Sequence, residues 1–177
     1  MLWVFMVMIL VQVYDNVTGK GMPVRSAPTP VMQGPIEPDP DVTRLAELQA
    51  CVAANPANLE CTLELGSLYY RATQWPQAQV NYERAVKLDP HNVEALVKLA
   101  GTYIYQLMFE QAAATLSQAV TLQPDSPEIH LLLGLAFSKL DTPKENEAVA
   151  EWRKVIELAP GSTWAVQAES FIAESGR

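Results

Sequence analysis

The side chains most able to bind a metal or act as a nucleophile are two cysteines and two histidines among 177 residues. Cys51 and Cys61 fit neither a metal-ligand spacing nor a Cys-x-x-Cys redox motif. His91 and His130 lie far apart, without acidic or cysteine companions at ligand spacing. The sequence also lacks a serine–histidine–acid set, a glycine-rich phosphate loop and paired carboxylates. We therefore predict a protein that is not an enzyme and has no metal and no cofactor.

The two cysteines have a geometric relation of their own. Cys51 and Cys61 lie five residues on either side of Pro56. In an antiparallel helical hairpin that turns at this proline, their side chains face each other. A disulfide can then form in an oxidising compartment. The alternative, which we favour, is two small reduced side chains that fill space in the core.

Helices that end at regularly spaced prolines must position these side chains. Four similar endings, AANP, KLDP, TLQP and ELAP, have their prolines 34, 34 and 36 residues apart. Proline ends a helix because it has no N–H to donate and clashes with the preceding turn. Apolar residues at three- and four-residue intervals predict amphipathic helices between the prolines. Residues 41–177 contain no valine- or isoleucine-rich run with a period of two, so we predict no strand. The prolines are Pro56, Pro90, Pro124 and Pro160.

Each unit between prolines carries the same residue types at the same places. The first helix has a leucine next to a small residue and then an aromatic residue, and the second helix has a small residue, a large one and another small or branched one. The small residues let two helices approach closely, and the large ones fill the space between units. The first helices contain Leu65-Gly66 and Tyr69, Leu99-Ala100 and Tyr103, and Leu133-Gly134 and Phe137. The second helices contain Ala78, Tyr82 and Ala85; Ala112, Leu116 and Ala119; and Ala148, Trp152 and Val155.

This pattern resembles the tetratricopeptide repeat (TPR), of the bacterial membrane-anchored type. The resemblance implies an all-α, right-handed α-solenoid of helix hairpins over residues 41–177, preceded by an apolar N-terminal helix and a Pro-rich linker. Its expected parts are a half repeat at 41–58, repeats at 59–92, 93–126 and 127–162, and a capping helix at 163–175. The third repeat is two residues longer, around LDTPKENEA. We expect Thr142 and Glu145 to form a capping box there that lengthens the second helix.

The N-terminal 40 residues have a different composition. Residues 2–14, LWVFMVMILVQVY, are uncharged and apolar, and residues 15–40 contain six prolines. We predict a single membrane anchor at 1–14 and an extended linker at 15–40. A cleaved signal and a segment buried against another protein remain alternatives. The side of the membrane stays open, with a lean towards the extracytoplasmic side.

The resemblance also implies a binding site, because such arrays bind partner segments on a concave face lined by first helices. Leu63, Val97 and Leu131 are expected to form an apolar row, and Glu60, Glu94 and Glu128 an acidic rim. Such a face suits a protein or peptide segment that is apolar or basic and amphipathic. The alternatives are glutamates placed by the helix dipole and apolar contacts within the protein. The implied site residues are Glu60, Leu63, Ser67, Tyr70, Arg71, Glu94, Val97, Ile104, Tyr105, Glu128, Leu131, Leu135 and Lys139.

Charge and residue type narrow the partners. The net charge is −8 and no basic stripe is present, so nucleic acid is excluded. The chaperone-type arrays that clamp a C-terminal carboxylate use lysine, asparagine and arginine, but only Lys98 is a cation at the matching places here. We therefore predict a membrane-tethered scaffold or assembly factor for protein–protein interaction. The alternatives are a permanent structural subunit of a membrane complex and an accessory factor for apocytochrome c maturation.

Overall fold

A computed structural model describes residues 40–175 of the chain, and every secondary-structure element in that range is a helix. This confirms the predicted all-α class for the described residues. The predicted anchor at 1–14 and all of the predicted linker but Pro40 lie outside the described residues. Within 40–175, no helix combines the length and the apolar character that a membrane crossing requires. The eight helices are α1 Pro40–Ala54, α2 Leu59–Arg71, α3 Trp75–Leu88, α4 Val93–Tyr105, α5 Phe109–Leu122, α6 Pro127–Ser138, α7 Glu145–Leu158 and α8 Thr163–Ser175.

The helices α2, α4 and α6 begin at residues suited to a helix start. The side-chain oxygens of Asn58 and Asn92 accept hydrogen bonds from the backbone N–H groups of Cys61 and Ala95, at 3.0 Å and 2.9 Å. Each bond satisfies one of the backbone donors that a helix start leaves unpaired. At α6, Ser126 occupies the cap position and Pro127 follows as the first helical residue.

The prolines end the alternate helices α1, α3, α5 and α7 at a fixed distance. Each of these helices stops two residues before its proline. The residue in between cannot easily remain helical, because the proline ring collides with its backbone. Asp89, Gln123 and Ala159 have φ angles of −140°, −139° and −138° instead. The proline therefore ends each of these helices, and the chain can then turn back to pack against itself.

Two of the turns inside the hairpins are three residues long and contain a left-handed residue. Thr73 has φ of 56° and Leu107 has φ of 60°. The third turn, after α6, spans residues 139–144 instead. Its end is nevertheless held in the same way, because Lys144 N donates to Phe137 O at 3.0 Å as Gln74 N does to Tyr69 O at 2.9 Å.

The expected capping box in the third repeat is wrong. Helix α7 begins at Glu145, so Glu145 is the first helical residue rather than the third. Lys144 is the cap position, and α7 has 14 residues, as α3 and α5 do. The turn is three residues longer than the other two and α6 is one residue shorter than α2 and α4, which accounts for the two additional residues. A longer turn disturbs no packed position, whereas a longer helix would shift the face that α7 buries.

Each described helix packs mainly on its neighbours in the sequence. In addition, α4 contacts α6, and α6 contacts α8. The core consists of three consecutive clusters of buried side chains. Leu48, Val52 and Leu65 join α1 to α2. The largest cluster extends from α3 to α6. The third joins α6, α7 and α8 around the indole of Trp152. A core divided along the chain in this way is expected for an array of hairpins.

Cys51 of α1 and Cys61 of α2 form a disulfide, with their Cα atoms 6.2 Å apart. The disulfide is the alternative that we did not favour from the sequence, where two reduced side chains were preferred. The geometric premise was right, because the turn at Pro56 does bring the two side chains together. The disulfide links the first described helix covalently to the rest of the array.

His130 is a structural residue of α6. Its side chain is buried, with Nδ1 2.6 Å from Glu151 Oε2 on α7 and Nε2 2.7 Å from the backbone oxygen of Pro124. Both contacts are to groups of this same chain, so the ring joins α6 to α7 and to the turn before α6. No group of three or more potential metal ligands occurs among the described residues.

Candidate functional site

A glycine in α2 lets an aromatic ring of α3 reach across the hairpin. A Cβ added at Gly66 would lie 2.8 Å from Cε1 of Tyr82. The same arrangement occurs in the third hairpin, where a Cβ at Gly134 would lie 2.5 Å from Nε1 of Trp152. The small residues were expected to let two helices approach closely, and here the closest neighbour of the added atom is the Tyr82 ring. The glycine therefore makes room for a large side chain that fills the hairpin.

Tyr82 reaches a cavity of about 450 Å³ between α2 and α4. The wall from α2 includes the predicted site residues Glu60, Leu63 and Ser67, and the wall from α4 includes Glu94. The cavity thus has an apolar side chain in its lining and carboxylates from two helices. Its full lining is Leu59, Glu60, Leu63, Glu64, Ser67, Tyr82, Glu94 and Lys98.

Among the described residues, no group lies in full hydrogen-bonding geometry to the hydroxyl of Tyr82, although the Ser67 hydroxyl is close enough to lower its pKa. The residue is 1% exposed, and its Oη atom is buried without a donor or acceptor in bonding geometry. Burial raises the pKa of Tyr82 to about 12, the Ser67 hydroxyl acts in the opposite direction, and the Glu94 carboxylate raises the pKa further. The phenol is therefore neutral at physiological pH and can both donate and accept a hydrogen bond. A buried hydroxyl without a partner costs about 1–3 kcal/mol.

A second, smaller cavity of about 240 Å³ adjoins the first and lies between α4 and α6. The two cavities share Glu94 and Lys98 in their linings. The second one adds the predicted residues Val97 and Glu128. We call the two cavities together the groove. The groove runs across the N-terminal halves of α2, α4 and α6, and the exposed Glu60, Glu94 and Glu128 lie along it.

The predicted residues Tyr70 and Tyr105 belong to an aromatic cluster at the other ends of α2 and α4. Trp75 stacks on Tyr105 with ring centroids 4.4 Å apart, and Tyr70 meets both rings edge-on at 5.1 Å and 5.6 Å. Burial and the neighbouring Tyr105 raise the pKa of Tyr70. Tyr105 remains 58% exposed. The cluster therefore presents an aromatic surface, separate from the two cavities of the groove.

The other predicted site residues do not lie together. Leu135 and Lys139 line a cavity beside α8, and Ile104 packs half-buried on the core. Arg71 lines a cavity between α1 and α2. Leu131 was expected to continue the apolar row of Leu63 and Val97, and this is wrong. It is 5% exposed, because the side chains of α7 and α8 cover it.

Four residues of these surfaces were not among the predicted site residues, although Lys98 had been placed at a first-helix clamp position. Glu64 and Lys98 line the first cavity, Tyr82 forms part of its lining, and Trp75 completes the aromatic cluster. Tyr82 was assigned to the packing between units. One signal could have found it: the equivalent second-helix positions of the three repeats hold Tyr82, Leu116 and Trp152, and tyrosine carries a hydroxyl at the far end of its ring.

Solved structures of several TPR proteins share the fold, while no curated protein matches the chain in sequence. The TPR domain of Arabidopsis OM64 is 26% identical with a TM-score of 0.60, and the match covers 66% of this chain and 94% of that one. MamA from Desulfovibrio magneticus RS-1 is 15% identical with a TM-score of 0.70, covering 77% and 74%. The first TPR of Spaghetti (RPAP3), bound to the HSP90 peptide SRMEEVD, is 23% identical with a TM-score of 0.61, covering 66% and 91%.

The sequence itself places the chain in a family. Residues 44–159, more than half of the chain, match the family described as "Cilia and flagella-associated protein 70 middle TPR-like domain". The match includes most of α1 and all of α2 to α7. The fold of the solved TPR structures agrees with it. The chain therefore belongs to this family of TPR-like domains.

Proposed function

We propose that the protein is a non-enzymatic interaction module that binds a segment of a partner protein in its groove. The observation that carries the proposal is the continuity of the groove, whose two cavities share Glu94 and Lys98 and extend across three first helices. A groove of this kind can follow an extended or helical segment over several residues. The right-handed superhelix of half repeat, three repeats and capping helix would present this groove on its concave side.

The solved structures support this use of the fold. The RPAP3 repeat domain holds a peptide from HSP90, SRMEEVD, which ends in acidic residues. The groove of this chain has an acidic lining, with Glu60, Glu94 and Glu128 against Lys98. We therefore propose an apolar or basic segment as the ligand here, because carboxylates on both sides would repel one another.

Site-specific crosslinking in the cells that make the protein tests the groove. A photoreactive benzoylphenylalanine replaces Val97 in the full chain, and the matched control replaces Val80, which is 66% exposed on α3. We expect one or more partner proteins crosslinked through position 97 and none of them through position 80. Partners captured equally at both positions, or only at position 80, would show that the groove is not the binding surface.

We also propose that residues 2–14 anchor the module to a membrane and that residues 15–40 hold it at a distance. The support is the apolar run and the proline-rich composition. The Cys51–Cys61 disulfide supports an extracytoplasmic location, because such bonds persist in oxidising compartments. Deletion of residues 2–14 should move the protein from the membrane fraction to the soluble fraction. Retention in the membrane fraction would contradict the anchor.

The alternative is a permanent subunit of a membrane complex. Apolar side chains such as Val42, Leu107 and Val166 are 60–73% exposed at separate places on the described surface, and a permanent interface would cover some of them. In the crosslinking experiment, this alternative predicts capture of one protein at stoichiometric yield through outer positions as well as through the groove. An accessory role in apocytochrome c maturation is a narrower form of the first proposal, with apocytochrome as the bound segment.

A further inference from the structure

We propose that the cavity between α2 and α4 receives an arginine side chain of the partner segment. This inference rests on the proposed function and names the residue type that the groove would recognise. The cavity combines carboxylates on two helices with a buried hydroxyl for which the described residues supply no partner in full hydrogen-bonding geometry. These two features independently favour a ligand that carries positive charge and several N–H donors.

The hydroxyl of Tyr82 is unusual among the equivalent positions of the three hairpins. In the third hairpin, the indole Nε1 of Trp152 donates to the backbone oxygen of Leu131 at 3.3 Å. In the second hairpin, Leu116 has no polar atom. Of these three, Tyr82 brings a polar group into the interior for which the described residues supply no partner in full hydrogen-bonding geometry, Ser67 being the neighbouring hydroxyl. Because such a group is costly to bury unpaired, a ligand that supplies its hydrogen bond gains binding free energy at this point.

The charges around the cavity favour a cation. Glu60, Glu64 and Glu94 line it, and Lys98 is the single cation that the described part of the chain contributes to its lining. Glu64 already forms an ion pair with Arg44 of α1. When Lys98 is set against one of the two remaining carboxylates, one negative charge is left without a counterpart in the lining. An incoming cation is attracted to that carboxylate, whereas an incoming carboxylate finds only Lys98.

The chemistry of the cavity favours arginine over lysine. A guanidinium has five N–H donors in a planar fork, so it can bond carboxylates on different helices and a hydroxyl oxygen at the same time. Tyr82 is neutral at physiological pH and its oxygen can accept one of these bonds. A lysine ammonium is a compact, strongly hydrated charge whose three donors all sit on one nitrogen, so it can bridge fewer groups across the cavity.

Selection of random dodecamer peptides displayed on phage, against the full chain, tests the residue preference. We expect the enriched peptides to contain arginine at one position, well above its frequency in the starting library and above that of lysine. If no peptide is enriched, both the proposed function and this inference fail. If peptides are enriched without arginine, the groove still binds segments and only this inference is overturned.

Titration of one selected peptide against variants of the full chain then tests the contacts. Loss of one charged or hydrogen-bonded partner in a half-exposed site changes a dissociation constant by about 3- to 20-fold. We expect Glu94→Gln and Tyr82→Phe to weaken binding within this range. A peptide with citrulline in place of arginine should also bind more weakly, because it keeps the shape without the charge. The Tyr82→Phe variant should keep or raise the melting temperature, because it removes a buried hydroxyl that has no partner in the free protein.

The sign of the effect at Lys98 separates the two ligand charges. Lys98→Gln should tighten binding of the arginine peptide by about 2- to 5-fold, because it removes a like charge beside the guanidinium. The matched control is Lys87→Gln on α3, an exposed lysine that lines neither cavity; it should leave the dissociation constant unchanged. Weaker binding by Lys98→Gln, or a Tyr82→Phe variant with unchanged affinity and a lower melting temperature, would overturn the assignment.

Discussion

At the glycines of α2 and α6, the absence of a Cβ atom makes room for a large side chain of the next helix. Gly66 and Gly134 each lie against an aromatic ring, whereas in the second repeat the equivalent positions are Ala100 and Leu116. The size of the small residue therefore varies inversely with the size of the side chain that crosses it. Such pairs fix the spacing within each hairpin, because a close-packed interior cannot absorb an additional methyl group without displacement.

We expect Gly66→Ala to lower the free energy of unfolding by about 1–3 kcal/mol, because its methyl group must displace the Tyr82 ring. The matched control is Gly101→Ala in α4, where the nearest atom to an added Cβ is Tyr70 Oη at 3.6 Å. There the higher helix propensity of alanine should raise the free energy of unfolding by about 0.5–1 kcal/mol. Chemical denaturation of the three proteins measures both changes. A stabilised Gly66→Ala variant would contradict the close approach.

Residue types and their spacing predicted several of the residues that line the groove. The others depend on how closely neighbouring helices pack. Glu60, Glu94, Glu128 and the half-buried Leu63 and Val97 line the two cavities of the groove, and their role in binding a partner stays a prediction. Leu131 has the same residue type and register as Leu63, so the sequence offered no reason to separate them. It is buried because α7 and α8 pack over it, and the angle at which a terminal helix packs is not set by periodicity.

At the scale of the elements, the turns inside the hairpins differ more than the helices do. Thr73 and Leu107 have positive φ at equivalent places in the first two turns. A left-handed conformation is unfavourable for residues with a Cβ, and glycine usually occupies such a position after a helix. Neither turn contains glycine, so this conformation could not be predicted from the residue types. The repeat spacing predicted where the helices end but not the backbone angles that join them.

Replacement of Leu107 by glycine should stabilise the protein. The side chain is 73% exposed, so its loss removes little packing, and glycine relieves the left-handed backbone. We expect the free energy of unfolding to rise by about 1 kcal/mol. Ala72→Gly is the control, since Ala72 has φ of −78° and glycine there only adds freedom to the unfolded chain. Thermal unfolding followed by circular dichroism should rank Leu107→Gly above the parent protein and Ala72→Gly below it.

The hairpin of α1 and α2 is the one element pair that also has a covalent link. Replacement of both Cys51 and Cys61 by alanine should lower the free energy of unfolding by about 2–3 kcal/mol, since the disulfide closes a loop with a sequence separation of 10. Amide hydrogen exchange should become faster in α1 and stay unchanged in α6. Reductant should reproduce the effect in the parent protein and have no effect on the double variant. Equal protection of α1 in the two proteins would show that the link is dispensable.

At the scale of the whole described array, stability is divided among neighbouring hairpins. The three core clusters follow one another along the chain, and most helix contacts join sequence neighbours. In such an array, each hairpin is stabilised by its own packing and by its contacts with the next one. The two ends should therefore respond independently to changes, because α1 and α8 belong to different clusters.

The double variant Phe171→Ala, Ile172→Ala tests this independence at the C-terminal end. Both side chains pack on the cluster that contains Leu131 and Trp152, and the Phe171 ring lies 5.2 Å from that of Trp152. We expect a loss of about 2–4 kcal/mol, because these half-buried side chains cover the third cluster. The control double variant Trp164→Ala, Val166→Ala changes residues of the same helix that are 38% and 60% exposed, and it should lose much less.

Combination of the Phe171→Ala, Ile172→Ala change with the two cysteine substitutions then distinguishes independent ends from one cooperative unit. Changes at distant sites without shared partners add to within about 0.5 kcal/mol. Hydrogen exchange should show faster opening of α7 and α8 from the first change and of α1 from the second. If either change alone accelerates exchange equally in α1 and in α8, the array opens as a single unit. The helices that form the groove would then fold together with the rest of the array. A partner bound at α2 and α4 would stabilise α8 as strongly as it stabilises α2 and α4.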